Sequence, residues 1–478
     1  MRKSGILLPV SSLPSECGIG TLGKGAYDFV DFLHSARQHF WQILPVNPTA
    51  YADSPYQSPS AFAGNPYFID PLLLYEQGLL KKSEVSSLYN DAQRVDYAWL
   101  YRTRHALLER AAGRLSVGTD YEEFCAKNAH WLDAYALFTV LRSRRKISLE
   151  QVMQMSQAGR DSAAHSFSAE TDMFRRVQYL FFTQWFNLKK YANNNAVHII
   201  GDIPIYVAYD SADVWHKPEL FLLDASRRPC VQAGCPPDAF SKDGQLWGNP
   251  MYNWKKHAAD GFSWWLSRLS AACETFDGVR IDHFRGFYSG YAVKAGADTA
   301  AHGEWIDAPK MQFVDCVRNN LPDAFIIAED LGFVTPEVRR FFDESGFPGM
   351  KLMQFAFDGD ELPHTFGKNN VAYTGTHDNP TVVGWLRCTP QKTLNRAMDY
   401  LGVERVSSLP QAMIKATLAS NCDTAIIPMA DWLKLGASGR INTPSTAHGN
   451  WTFRIGVDCL TAELAAEIKA ASSLYARV

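Results

Sequence analysis

The sequence predicts a (β/α)8 TIM barrel, and three observations predict it. Eight short apolar runs, near residues 6, 42, 199, 280, 326, 352, 373 and 426, read as strands. Segments with helical spacing separate them, as crossovers between parallel strands require. Four of the runs end in an acid (Asp202, Asp282, Glu329 and Asp378) where apolar chain gives way to polar loop. In a barrel the carboxyl ends of all strands face one rim, and active sites sit there. A doubly wound open sheet is the structural alternative, but no glycine-rich phosphate loop follows the first strand.

Taken in order, Gly5-Ile6-Leu7-Leu8-Pro9 is a short buried strand, followed by a turn-rich loop through Gly20. Phe29, Val30, Phe32, Leu33 and Ala36 give residues 27–39 a helical face, and Phe40-Trp41-Gln42-Ile43-Leu44 is the second strand. A long loop dense in Pro, Ser and Gly follows, and loops of that length are usually functional. Residues 50–195 then form a mostly helical insertion, with Trp99, Tyr101, Trp131, Tyr135, Phe138 and Trp185 assigned to helix packing. Val197-His198-Ile199-Ile200-Gly201-Asp202 is the third strand, and residues 205–255 are a polar, periodicity-free region expected to cover a substrate. A helix over 261–275 leads to Phe276-Asp277-Gly278-Val279-Arg280-Ile281-Asp282-His283-Phe284. Further strands are expected over 324–330, 349–355, 371–378 and 424–428, with helices over 336–343, 410–420 and 460–475. All 478 residues are read as one catalytic domain.

Composition excludes several classes. Hydrophobic residues are 46% and charged residues 20%, with a formal net charge of −3. No basic face for nucleic acid and no block of like charge stands out. The start has too short an apolar run for a signal peptide, and no stretch approaches a membrane span. The nine cysteines are scattered, and only Cys230 and Cys235 stand close. They read as reduced thiols in a cytoplasmic protein. Aromatic residues reach 13%, with 13 Trp and 20 Tyr, many in turn-rich polar stretches. Aromatic planes there suit the apolar C–H faces of sugar rings.

Side chains two apart on a strand share a face, so Arg280 and Asp282 point together. An adjacent guanidinium favours the ionised carboxylate. Covalent catalysis at a sugar carbon needs such a carboxylate, although a structural ion pair would use the same residues. Several acids converging on one rim are costly to assemble unless chemistry requires them. Two suffice for glycosidic bond cleavage, and a third can stabilise developing positive charge. A divalent-metal site would also use acids, but Trp and Tyr interleave these and no second acidic pair completes a shell. No metal or other cofactor is expected.

Gly278-Val279-Arg280-Ile281-Asp282, Ala328-Glu329-Asp330 and Thr376-His377-Asp378-Asn379 resemble, in order, three signature segments of the α-amylase superfamily. Gly201-Asp202-Ile203-Pro204-Ile205 resembles the segment after the third strand, but Ile205-Tyr206-Val207 lacks its usual His. That departure matches the 4-α-glucanotransferases (amylomaltases, glycoside hydrolase family 77). So do Asp53-Ser54-Pro55-Tyr56-Gln57, residues 58–66, Leu246-Trp247-Gly248-Asn249-Pro250, Asn442-Thr443-Pro444 and Asn450-Trp451. The resemblance implies Asp282 as nucleophile, Glu329 as general acid/base and Asp378 as transition-state stabiliser. It implies that Arg280 keeps Asp282 ionised and that His377, His283 and Asp330 line the rim. Tyr56 and Trp247 would close over the glucan, and Ser54, Asp238, Gln245 and Asn442 are further sugar contacts. Asp202 reads either as part of the site or as a strand-end hydrogen-bonding residue.

The implied reaction moves α-1,4-glucan segments from a maltodextrin to the 4-hydroxyl of glucose or a glucan, with retention. Maltooligosaccharides and glucans from starch or glycogen are the expected partners, with neither nucleic acid nor membrane. The alternatives are an α-glucan hydrolase on the same barrel and a glucan-binding barrel without catalysis. No β-sandwich is expected after Trp451, and no extra domain before the first strand.

Overall fold

Among the residues described by the computed structural model (2–237, 242–359 and 361–478), the chain forms twelve strands. They are β1 (Lys3–Leu7), β2 (Phe40–Gln42), β3 (His198–Pro204), β4 (Val231–Cys235), β5 (Gln245–Pro250) and β6 (Gly278–Asp282). The others are β7 (Ser289–Lys294), β8 (Gly303–Asp307), β9 (Ile326–Ala328), β10 (Gly349–Leu352), β11 (Asn370–Tyr373) and β12 (Thr424–Pro428). Eight of them pair in the order β10-β11-β12-β1-β2-β3-β6-β9. Every pairing in that sheet is parallel.

The sheet closes where β9 meets β10. There Ala328 N–H donates to the Pro348 carbonyl at 2.8 Å, and Met350 N–H donates to Asp330 Oδ1 at 2.7 Å. A carboxylate thus stands in for the ladder that a three-residue strand is too short to complete. The architecture is the (β/α)8 barrel, and all eight expected strands form at the expected places. Two strands end earlier than expected: β10 turns into a helical turn at Met353–Ala356, and β11 stops at Tyr373, so Asp378 stands on the loop after it and not at a strand end.

Strands covered on both faces read as continuous apolar runs, which is why their positions were legible. Helix Lys24–Ser35 buries Ala26, Phe29, Val30, Phe32 and Leu33 along one stripe. Helix Pro336–Ser345 shows how local chemistry sets the ends. Thr335 caps the Val338 N–H, Pro336 occupies the first turn, and Gly346 ends the helix at φ 67°. On the side away from the rim, Arg477 is fully buried and donates to the carbonyls of Lys3, Leu418, Ser420, Cys422 and Asp423. It ties the start of β1 and the approach to β12 to the last helix, Ala462–Leu474.

Long helices fill the chain between β2 and β3, chiefly Tyr97–Arg114, Thr119–Thr139 and Ser168–Asn194. Trp131, Tyr135, Phe138 and Trp185 are buried there, and Trp99 is half-buried. Tyr101 differs from expectation: it is 68% exposed. The buried stripe of its helix runs through Leu100, Arg104, Leu107 and Ala111, and Tyr101 stands beside it, edge-on to His105 at 5.9 Å.

A second, four-stranded antiparallel sheet, β5-β4-β7-β8, was not anticipated. Two of its strands lie in the region read as lacking periodicity. A register shift between Gln232 and Gly234 breaks the alternation that would have marked β4. Glycines within β5, β7 and β8 weaken the signal further. No helix among the described residues is long and apolar enough to cross a membrane. No disulfide joins cysteines among the described residues.

Candidate active site

Period-two alternation along β6 puts Arg280 and Asp282 on one side, and Arg280 Nη2 donates to Asp282 Oδ1 at 2.7 Å. Nη1 of the same guanidinium donates to both oxygens of Asp202, at 2.8 and 2.7 Å. Asp202 lies opposite Arg280 in the β3–β6 register. One planar fork therefore bridges two carboxylates. They are not equivalent: the Asp202 side chain is fully buried, whereas that of Asp282 is 31% exposed. Asp202 neutralises Arg280 from within, and Asp282 is the carboxylate a substrate can reach.

Tyr56 connects this pair to the opposite wall. Its hydroxyl donates to Asp202 Oδ2 at 2.7 Å, and its ring stacks on His377 at 5.2 Å and 16°. Trp451 packs against both rings, 5.7 Å from Tyr56 and 6.0 Å from His377. Burial, followed by the charges of Asp202, Asp282 and Asp378, pushes the Tyr56 phenol well above its ordinary pKa. It stays a protonated donor, and acids from three separate parts of the chain act on one ring.

His377 Nε2 lies 3.3 Å from Asp378 Oδ1, and Asn442 Nδ2 donates to that same oxygen at 2.6 Å. The Asn442 N–H returns to the His377 carbonyl at 3.1 Å. The loop bearing Asp378 is braced by buried Asp431, which accepts Thr374 Oγ1 at 2.5 Å and the Val382 N–H at 2.7 Å.

Glu329 follows β9 and is 8% exposed. Its oxygens accept the His283 N–H at 2.7 Å and the Leu331 N–H at 2.8 Å. His283 reaches it because the chain turns sharply after Asp282, at φ 52° and ψ 47°. A non-glycine residue in that region costs roughly 1 kcal/mol, so the turn is held by its surroundings. Burial first, and then the negative charge of Asp282, raise the Glu329 carboxyl to about pH 8, against the opposing pull of Arg280. A carboxyl kept protonated at neutral pH beside a second acid held by Arg280 is the arrangement acid–base chemistry needs.

The second sheet supplies another wall. Trp247, on β5, meets the His283 ring edge to face at 4.8 Å, and its Nε1 donates to Gln245 Oε1 at 3.3 Å. Burial lowers the His283 pKa to about 4, so it is neutral, and its Nε2 has no hydrogen-bond partner. Gln57 Nε2 ties the loop carrying Tyr56 to that sheet, donating to the Trp247 carbonyl at 2.9 Å.

The structure thus gathers Asp282, Glu329, Asp378, Arg280, His377, Tyr56, Trp247, His283, Gln245 and Asn442 around one rim. Ser54 serves the Tyr56 turn, its hydroxyl accepting the Tyr56 N–H at 3.2 Å. Asp330 departs from the expected rim position. Neighbouring residues at a strand end point opposite ways, and Asp330 holds the β9–β10 seam and Arg339, whose Nη1 is 3.0 Å from Oδ2. Asp238 lies outside the described residues. Trp451, Gln57 and Asp431 were missed as site residues. Asp431 carried a signal, an acid just past an apolar strand, whereas Trp451 and Gln57 stood inside motifs without a role. Among the described residues, no group of three or more His, Cys, Asp or Glu is arranged to hold a metal ion.

A sequence profile described as 4-alpha-glucanotransferase matches residues 8–459. A 4-alpha-glucanotransferase of Streptococcus pneumoniae is 44% identical, over 100% of this chain and 98% of its own. One from Clostridium butyricum is 42% identical over 98% of this chain and 99% of its own. An amylomaltase from Streptococcus agalactiae, solved in complex with acarbose, superposes with a TM-score of 0.95 at 36% identity. Both chains are covered completely.

Proposed function

Because the chain belongs to the 4-alpha-glucanotransferase family, and so is a glucan-transferring enzyme, we propose that Asp282, Glu329 and Asp378 carry out the transfer. The observation that carries this is the pairing of an Arg280-held, accessible Asp282 with a buried Glu329 clamped by two backbone N–H groups, its carboxyl pushed up to about 8 by burial. One acid is poised to attack and the other to give up a proton.

In the first step an Asp282 oxygen bonds to the anomeric carbon of an α-1,4-linked donor. The bond to the departing O4 breaks, and Glu329 delivers its proton to that oxygen. The product is a β-linked glucosyl-enzyme. Its ester no longer carries the Asp282 charge, so one cause of the raised Glu329 pKa disappears. Glu329 thereby becomes a better-stabilised carboxylate when it must act as base. It then takes the proton of an acceptor 4-hydroxyl, that oxygen bonds to the anomeric carbon, and the ester breaks. Two inversions give retention. Asp378, steadied by Asn442 and His377, faces the positive charge that develops at the sugar ring.

Tyr56, bonded to Asp202, and Trp247, against His283, supply aromatic planes near Asp282 that exclude water, which favours an acceptor sugar over hydrolysis. Acceptors extend down to free glucose, and donors are maltooligosaccharides derived from starch or glycogen. Nine cysteines with no disulfide among the described residues support a reducing, cytoplasmic setting. Maltotriose incubated with the protein is expected to give glucose and a ladder of longer maltodextrins. Glucose and maltose with no longer products would overturn transfer.

The raised Glu329 pKa also sets a pH dependence. Below it the acid is protonated and the first step proceeds; above it the proton is gone. On the alkaline side kcat/KM for the donor is expected to fall tenfold per pH unit from about pH 8. A kcat/KM still level at pH 9.5 would remove Glu329 from the acid role.

A further inference from the structure

Beside the segments that hold Glu329 stands a second aromatic group that the reaction above leaves unused. Trp305, on the edge strand β8, and Phe333, on the loop after Glu329, are 39% and 58% exposed. Their rings lie nearly parallel, 6.3 Å apart at 17°. Arg285, only 5% exposed, sets its guanidinium 3.6 Å from the centre of the Trp305 ring and 5.7 Å from that of Phe333. It also donates to the Phe333 carbonyl. Tyr291, opposite Trp305 in the β7–β8 register, packs against the indole edge at 5.1 Å. Two exposed rings are thus held in fixed planes by a buried cation and a backbone bond. A ring that merely failed to find cover would not need such bracing.

The position of the pair relative to the chemistry follows from two hydrogen bonds. Glu329 is clamped by the His283 N–H and the Leu331 N–H. Arg285 stands two residues beyond His283, and Phe333 two residues beyond Leu331. The segments that hold the acid/base carboxyl therefore meet again at this aromatic pair. Glu329 protonates the departing oxygen and later deprotonates the incoming one. The leaving chain and the acceptor must therefore lie on its side of the scissile bond. Two residues of chain span at most about 7 Å, which keeps both segments close to Glu329.

Resting on the transferase reading above, we propose that Trp305 and Phe333 form an acceptor-side platform. It receives the second or a later glucose unit of an incoming maltodextrin, against the apolar C–H face of the sugar. The hydroxyl edges of that sugar stay in water, as suits rings that are half-exposed. Free glucose is too short to reach it. The platform would thus set the preference for long acceptors over short ones without touching the reacting atoms.

The test compares kcat/KM for maltotetraose and for glucose as acceptors at one fixed donor concentration. The ratio of the two is expected to fall by about five-fold or more in Trp305→Ala and in Phe333→Ala. Trp305→Tyr, which keeps an aromatic plane, is expected to retain most of the preference. A general disturbance of the Glu329 loop would depress both acceptors together and leave the ratio at its wild-type value. That outcome in both alanine variants overturns the platform. A wild-type protein that makes no maltodextrin ladder would instead overturn the transferase reading, so the two failures are distinguishable.

Discussion

Asp282→Asn is expected to lower glucan transfer by about 10⁴-fold or more, with the fold and glucan binding intact. Asparagine matches aspartate in shape, and its carbonyl oxygen can still accept from Arg280 Nη2. What it lacks is the charge that makes the oxygen a nucleophile. The usual penalty for removing one partner of a buried ion pair is leaving the other uncompensated. Here that penalty is small, because Arg280 keeps both oxygens of buried Asp202. Thermal unfolding should therefore shift little, and calorimetric titration with a maltooligosaccharide should still report binding. Transfer activity within tenfold of wild type would remove Asp282 from the nucleophile role. The reverse holds for Asp202→Asn: Arg280 would face only the exposed carboxylate, so stability should suffer along with activity.

Most of the barrel could be read from the chain because each of its strands is buried on both faces. The run Thr424–Pro428, with all five residues buried, illustrates the rule. The antiparallel sheet escaped because β4 and β5 are only partly buried, β8 is mostly exposed, every strand contains a glycine and β4 shifts register; β7, although buried, is interrupted by Gly290. The same division runs through the site. Arg280 and Asp282 belong together by alternation within one strand, which needs no knowledge of the fold. The bond from Tyr56 to Asp202 joins residues 146 positions apart, and only the closed barrel brings them together. Asp330 shows the opposite failing. Alternation at the end of β9 would have turned it away from Glu329, yet its place in a motif drew it to the rim. His283 breaks alternation in the other direction, since the left-handed turn at that residue returns its backbone toward Glu329. Motifs mark where chemistry is, and geometry decides which of their residues perform it.

Glu329→Gln separates the acid role from the base role by the choice of donor. With maltodextrin donors the loss should be about 10³-fold, the middle of the range for a positioned general acid. A donor whose leaving group departs without a proton, such as α-glucosyl fluoride, does not need that acid. Asp282 should therefore still open it and form the glucosyl-enzyme. The second step then stalls, because nothing removes the proton from an acceptor hydroxyl, and intact-protein mass spectrometry should detect the ester. Azide carries no proton to lose, so adding it should release the glucosyl group and restore turnover with the fluoride donor. The alkaline fall in kcat/KM should vanish in the same variant, since the group that titrates near pH 8 is gone. An equal loss on both donors, with no ester and no response to azide, would show that the substitution disturbs the site as a whole. It would also leave the two backbone bonds to Glu329 as its main contribution.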